Sequence, residues 1–172
     1  MVKELILEHT RDVADFPEPG VQFKDLTPLF AAPEAFRSVV SDIGSRYRGT
    51  VDVVVGIEAR GFILAAPVAM AMDLPFVPVR KAGKLPGPTL RQEYSLEYGT
   101  ATIEVHSDSL RAGQRVLLLD DVLATGGTAA AAASLIQRTG AKVAAIEMLM
   151  ELGFLDGRAK LAEYDVNCLV LV

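Results

Sequence analysis

Residues 116–128 read VLLLDDVLATGGT. The four apolar residues at the start have the composition of a strand buried on both faces. The run meets two adjacent carboxylates, Asp120 and Asp121, then a loop of small residues, then an alanine-rich stretch over 128–138. That stretch is helical in composition, and Gly140 just beyond it suits a helix stop. Strand, loop and helix in this order make an α/β unit, whose ligands bind outside the carboxyl ends of the strands. The amides of residues 124–128 and the start of the helix supply donors and positive potential. Gly126 and Gly127 let the backbone come close to an anion, and Thr125 and Thr128 add hydroxyls. The loop is therefore suited to a phosphate monoester. Two acids beside it would repel a bare phosphate, but they suit the hydroxyls of a ribose diol. The segment reads as a site for a sugar 5-phosphate. A Walker loop is excluded, because no lysine stands between Arg115 and Arg138. A dinucleotide fingerprint is excluded too, because the glycines are adjacent rather than spaced.

Outward from this segment, strands alternate with helices. Residues 51–57 (VDVVVGI) are nearly all apolar and predict a second buried strand. Further strands are expected over 76–79, 101–105, 142–149 and 166–170. Helices are expected over 2–13, 35–47 and 61–72, the last with a kink at Pro67. Residues 16–20 (FPEPG) mark a fixed loop. Residues 81–91 are basic and broken by Gly83, Pro86, Gly87 and Pro88, so they predict a long exposed loop. The pattern implies βαβ units: an α/β fold with a mainly parallel sheet flanked by helices, in one domain spanning 1–172. No repeat or linker interrupts it.

Composition limits the function. The chain has 172 residues, 51% hydrophobic and 23% charged, which fits a globular protein with a sizeable core. A net charge of -5 disfavours nonspecific binding to long nucleic acid. Cys168 is the one cysteine, so no internal disulfide forms and no multi-thiolate metal site exists. No uncharged run is long enough to span a bilayer, and the N-terminus lacks the apolar run of a signal peptide. A cytoplasmic protein is expected.

The 116–128 segment resembles the phosphoribosyl pyrophosphate motif of the type I phosphoribosyltransferases. Three more segments resemble the adenine phosphoribosyltransferases among them. They are 16–28 (FPEPGVQFKDLTP), 56–62 (GIEARGF) and 80–99 (RKAGKLPGPTLRQEYSLEYG). One departure is Glu18, where relatives often carry lysine. The likeness implies a single domain with a small base-binding hood at 16–28 and a flexible catalytic loop at 81–99.

The resemblance also assigns roles. Asp120 and Asp121 hold the ribose hydroxyls, and Ala124, Thr125, Gly126, Gly127 and Thr128 hold the 5-phosphate. Arg60 binds pyrophosphate by paired hydrogen bonds, in a loop that often carries a non-proline cis peptide. Arg80 and Lys84 add positive charge, with Lys84 on the lid that closes over the leaving group. Glu97 is the proton acceptor near the base, and Tyr98 a substrate contact. Phe23 and Leu152 stack on the two faces of the purine, and the backbone around Gln22 and Lys24 reads its edge. Mg²⁺ is expected, bound mainly through the substrate. The implied activity joins adenine to phosphoribosyl pyrophosphate, giving AMP and pyrophosphate, in a homodimer. A 6-oxopurine enzyme and a nonenzymatic sensor of phosphoribosyl pyrophosphate are the alternatives.

Overall fold

In the computed structural model, which describes residues 1–96 and 99–172, the buried runs lie side by side in one seven-stranded sheet. Helix α1 (Val2–Glu8) leads into a two-stranded ribbon, β1 (Arg11–Ala14) and β2 (Gln22–Asp25). A single helical turn, α2 (Thr27–Phe30), and the long α3 (Pro33–Tyr47) follow. Then come β3 (Val53–Ile57), α4 (Arg60–Met72), β4 (Phe76–Lys81), β5 (Thr89–Ser95) and β6 (Thr100–His106). The chain continues through β7 (Arg115–Leu123), α5 (Gly127–Arg138) and β8 (Lys142–Glu151). Two 3-10 turns (Gly153–Leu155 and Gly157–Leu161) and β9 (Val166–Leu171) complete it.

The strand order is β5-β6-β4-β3-β7-β8-β9. Strands β4, β3, β7, β8 and β9 run parallel, and β5 and β6 add an antiparallel hairpin at one edge. The central strands are apolar on both sides because both sides are covered. Val53, Val55, Val116 and Leu118 pack with the alanines of α5. Val54, Leu117 and Leu119 pack with Val39, Ile43, Leu64 and Val68 of α3 and α4. Each such residue, fully buried, contributes roughly 1.5–3 kcal/mol relative to exposure.

Two glycines draw α4 against the sheet. A Cβ on Gly56 would lie 2.7 Å from the Cβ of Ala65 and 3.0 Å from the carbonyl oxygen of Gly61. A Cβ on Gly61 would lie 2.9 Å from both Asp120 Oδ1 and the Leu119 carbonyl oxygen. The first turn of α4, with Arg60, therefore sits directly against the acidic end of β7.

The structure corrects three readings. The first helix stops at Glu8, where His9 and Thr10 turn back to the carbonyls of Leu5 and Ile6. The remainder of the expected helix is β1, paired Arg11 to Asp25 and Val13 to Phe23 with β2. The exposed loop is shorter than expected, since Thr89–Ser95 is a strand in full register with β6. Strand β7 runs through the acidic pair to Leu123 instead of ending there. As expected for 61–72, α4 is helical, and it continues through Pro67. The first two corrections share a cause. Neither β1 nor β5 is apolar enough to announce a strand, and each is made one by the partner it pairs with.

Candidate active site

Asp120 lines a small cleft, and Asp121 next to it on β7 is buried. Asp121 is only 4% exposed, and Arg60 Nε lies 2.5 Å from its Oδ2. The contact is one of charge, because no donor is aligned on that oxygen for a hydrogen bond. Burial pushes the Asp121 carboxyl up, and Arg60 offsets part of the rise. Asp120 Oδ1 accepts the amide N–H of Asp121 at 2.9 Å. Burial and then the neighbouring Asp121 charge hold the Asp120 carboxyl well above the usual range. Two crowded acids thus stand together, one of them in charge contact with Arg60.

The loop over 124–128 adjoins them. Gly126 takes a left-handed conformation, φ 77°, that turns the chain into α5 at Gly127. The amides of Thr125 and Gly126 have no backbone acceptor among the described residues. Those at the start of α5 are free by the geometry of a helix end. Residues Asp120, Ala124, Thr125, Gly126, Gly127 and Thr128 line a cleft of about 80 Å³, sized for one small anion. The Thr128 hydroxyl donates to Tyr94 Oη at 3.2 Å, tying this loop to β5.

A larger cavity of about 790 Å³ opens on the other side of Ala124 and Thr125, within the range of small-ligand sites. Phe23, Leu152, Phe154, Val21 and Leu96 make its walls largely apolar. Phe16 packs edge-on against Phe23 at 5.1 Å, and the Arg60 guanidinium lies 5.3 Å from the Phe23 ring centre. Lys24 lines the cavity as well, but its Nζ is bonded to Asp12 Oδ1 at 2.6 Å. Its side chain is thus engaged across the ribbon, which leaves the backbone of β2 to face a ligand.

A basic arm stands at the sheet edge. Glu58, in the loop after β3, accepts from Arg80 Nε at 3.2 Å and from the Lys81 amide at 2.9 Å. Burial pushes its carboxyl up, but these two donors outweigh that and hold it below the usual range. The Glu58–Ala59 peptide is cis, as the resemblance implied. Glu104 has no exposed surface. Its Oε1 accepts the amides of Lys84 and Leu85, both at 2.9 Å, and its Oε2 accepts from Thr89 and Arg91. This carboxylate fixes the root of the 82–88 turn.

The fold thus gathers Phe23, Lys24, Arg60, Ala124, Thr125 and Leu152 around one cavity, with Asp120, Gly126, Gly127 and Thr128 beside it. Asp121 joins them through Arg60. Arg80 and Lys84 are not among the residues lining either space. Arg80 is held by Glu58, and the exposed Lys84 offers only its carbonyl to Arg80, at 3.2 Å. Glu97 and Tyr98 lie outside the described residues; Leu96, just before them, lines the cavity. The sequence did not single out Val21, Tyr94, Phe154 or Leu155, which look like any isolated apolar or aromatic residue. Glu58 had a usable signal, since it stands in the same 56–62 segment as Arg60.

Comparison with known proteins agrees with this geometry. A phosphoribosyl transferase domain model matches residues 28–170. The adenine phosphoribosyltransferase of Streptomyces galbus is 61% identical over 161 residues, 93% of this chain and 88% of that protein. The crystal structure of the adenine phosphoribosyltransferase of Thermoanaerobacter pseudethanolicus superposes with a TM-score of 0.95 at 45% identity, covering 99% of both chains. That of Saccharomyces cerevisiae, in complex with D-2,5-dideoxy-2,5-imino-altritol 1,6-bisphosphate and adenine, gives 0.94 at 35% identity over 98% of both chains. The chain therefore belongs to the phosphoribosyltransferase family, within its adenine phosphoribosyltransferase group.

Proposed function

We propose that the protein transfers the 5-phosphoribosyl group of phosphoribosyl pyrophosphate to N9 of adenine, releasing pyrophosphate and forming AMP. The carrying observation is the shared wall at Ala124 and Thr125. On one side lies an apolar cavity fit for a flat base, on the other an amide-lined cleft fit for a phosphate. The acidic pair stands where the connecting sugar would pass. Asp120 and Asp121 accept the ribose hydroxyls, and residues 124–128 take the 5-phosphate. Phe23 and Leu152 bracket the base. With the Lys24 side chain committed to Asp12, the backbone of β2 reads the base edge.

In the reaction, the bond from C1 of ribose to the pyrophosphate oxygen breaks, and its electron pair leaves with pyrophosphate. The N9 lone pair of adenine forms the new bond on the opposite face. Glu97, directly or through a water, takes the proton that leaves the ring. Arg60 leaves Asp121 to hold the leaving group, and Arg80 and Lys84 approach as the arm closes. The described residues hold no cluster of three or more metal-ligating side chains. The paired acids do fit a hydrated cation carried in on substrate oxygens, and Mg²⁺, when bound, would supply charge neutralisation on the diphosphate.

Adenine, phosphoribosyl pyrophosphate and Mg²⁺ mixed with the protein should yield AMP and pyrophosphate. Preference for hypoxanthine or xanthine in a competition assay would overturn the base assignment. Tight binding of phosphoribosyl pyrophosphate without turnover of any purine would instead mark a sensor.

A homodimer is part of the same reading. Ile63 and Met70 stand seven residues apart on one face of α4, and Met70 is 83% exposed. A second copy of the chain covers this face, so light scattering should give twice the chain mass. Met70→Glu should shift the mass toward the single chain, and an unchanged mass would place the contact elsewhere. Among the described residues no helix is long and apolar enough to cross a membrane. That and the single half-buried cysteine support a cytoplasmic setting.

A further inference from the structure

The turn that follows the base cavity touches the phosphate loop at one point. Gly157 is buried, and its backbone abuts that of Ala124 and Gly126. A Cβ on Gly157 would run into the Ala124 carbonyl oxygen and lie 2.9 Å from the Gly126 nitrogen. The converse also holds, since a Cβ on Gly126 would run into the Gly157 carbonyl oxygen. These are backbone obstacles, which cannot swing aside as the end of a side chain can. No positive φ is recorded at Gly157, so closeness alone demands a glycine there.

The turn is held at both ends. Arg158 forms a two-pronged pair with Glu151, Nε to Oε1 at 3.1 Å and Nη2 to Oε2 at 2.5 Å. Its Nη1 donates to the Val166 carbonyl at 2.7 Å, so one guanidinium ties the turn to β8 and β9. On the far side Leu161 is fully buried in the cluster that contains the alanines of α5. The same turn begins at the cavity wall, where Leu152, Phe154 and Leu155 lie just after β8.

We propose that Gly157 is a positioning residue for the 5-phosphate loop and that Arg158, through Glu151, sets its place. The amides of Thr125 and Gly126 have no backbone acceptor among the described residues, and the loop's hydrogen bonds lie at its helix end, where the Gly126 carbonyl accepts the Ala130 amide and Thr128 meets Tyr94. Gly157 adds a steric constraint from behind, at Ala124 and Gly126. Because the turn also carries one wall of the base cavity, a single rigid piece fixes the distance between base and phosphate. This rests on the reading of residues 124–128 as the phosphate cradle.

The test measures ribose 5-phosphate binding by calorimetry together with steady-state kinetics. Gly157→Ala should weaken ribose 5-phosphate at least tenfold and raise the KM for phosphoribosyl pyrophosphate to match. The KM for adenine, whose cavity wall at Leu152, Phe154 and Leu155 begins the same turn, should rise too, but by less. Arg158→Gln frees the turn without adding bulk and covers the case in which Gly157→Ala does not fold. It should raise the same KM several-fold, with Arg158→Lys intermediate. Equal binding by wild type and a folded Gly157→Ala would overturn the proposal while leaving the phosphate loop intact. Parallel losses for adenine and sugar phosphate in Arg158→Gln, tracking a loss of circular dichroism, would overturn it by showing a merely structural role. If wild type itself binds no ribose 5-phosphate, the reading of 124–128 fails first.

Discussion

Asp121→Asn lowers kcat/KM for phosphoribosyl pyrophosphate about ten- to hundredfold and leaves the KM for adenine nearly unchanged. A hydrogen bond to a charged group is worth about 1.5–3 kcal/mol, and each 1.4 kcal/mol is a factor of ten. Asp121 Oδ2 is buried without an aligned donor, so a ribose hydroxyl gains a strong acceptor there that an amide only partly replaces. The adjacent acid gives the complementary result. Asp120 titrates well above its ordinary value in the fold, so the folded protein retains a proton there that the unfolded chain has released. Its stability therefore falls as pH rises from the usual aspartate value, about 4, toward the raised one. Asp120→Asn removes this penalty and keeps an oxygen to accept the Asp121 amide. Its melting temperature should exceed that of wild type at pH 8, by about 2–4 °C for each kcal/mol, and the gap should close at pH 4. The variant loses sugar recognition as it gains stability. Equal melting temperatures at pH 8 would show that the acidic pair stores no strain.

Glu104→Leu destabilises the protein by about 3–5 kcal/mol, because each buried donor left without its acceptor costs about 1–3 kcal/mol. Four donors lose their acceptor at once: the amides of Lys84 and Leu85, the Thr89 hydroxyl and the Arg91 guanidinium. Arg91 is 60% exposed and turns to water, so the two amides and Thr89 bear most of the cost. At about 2–4 °C per kcal/mol, the melting temperature drops by roughly 6–20 °C. Glu104→Gln keeps one acceptor oxygen and loses less. Burial raises the Glu104 carboxyl, but the two amides, Arg91 and Thr89 outweigh it, and the net shift is downward. Its contribution is therefore complete above the ordinary glutamate value and disappears as pH falls below it. Thermal melts of wild type and Glu104→Gln should converge in acid. A melting temperature unchanged in Glu104→Leu would mean that the 82–88 turn is anchored by something else. Because Glu104 grips the Lys84 backbone, the same substitution should loosen the turn and expose it to proteolysis ahead of the core.

How far the sequence could be read depended on the range of the interaction. Strands β3 and β7 were legible because a segment covered on both faces must be apolar throughout, whatever its neighbours are. The turn from β7 into α5 at 124–128 was legible because one short segment carries its glycines, hydroxyls and helix start together. Strands β1 and β5 were not, since their side chains are mixed and only pairing with β2 and β6 makes them strands.

The chain by itself determined the α/β class and placed the glycine-rich loop at 124–128 beside the two acids, for each is encoded in residues close together along the backbone. Only the tertiary structure decided that Arg60 rests on Asp121, that Glu104 grips the root of the basic arm, and that Gly157 stands behind the cradle. Each of those contacts joins residues that lie 20 or more positions apart. Their existence depends on how strands are ordered and how closely helices approach, quantities that no local pattern of side chains records.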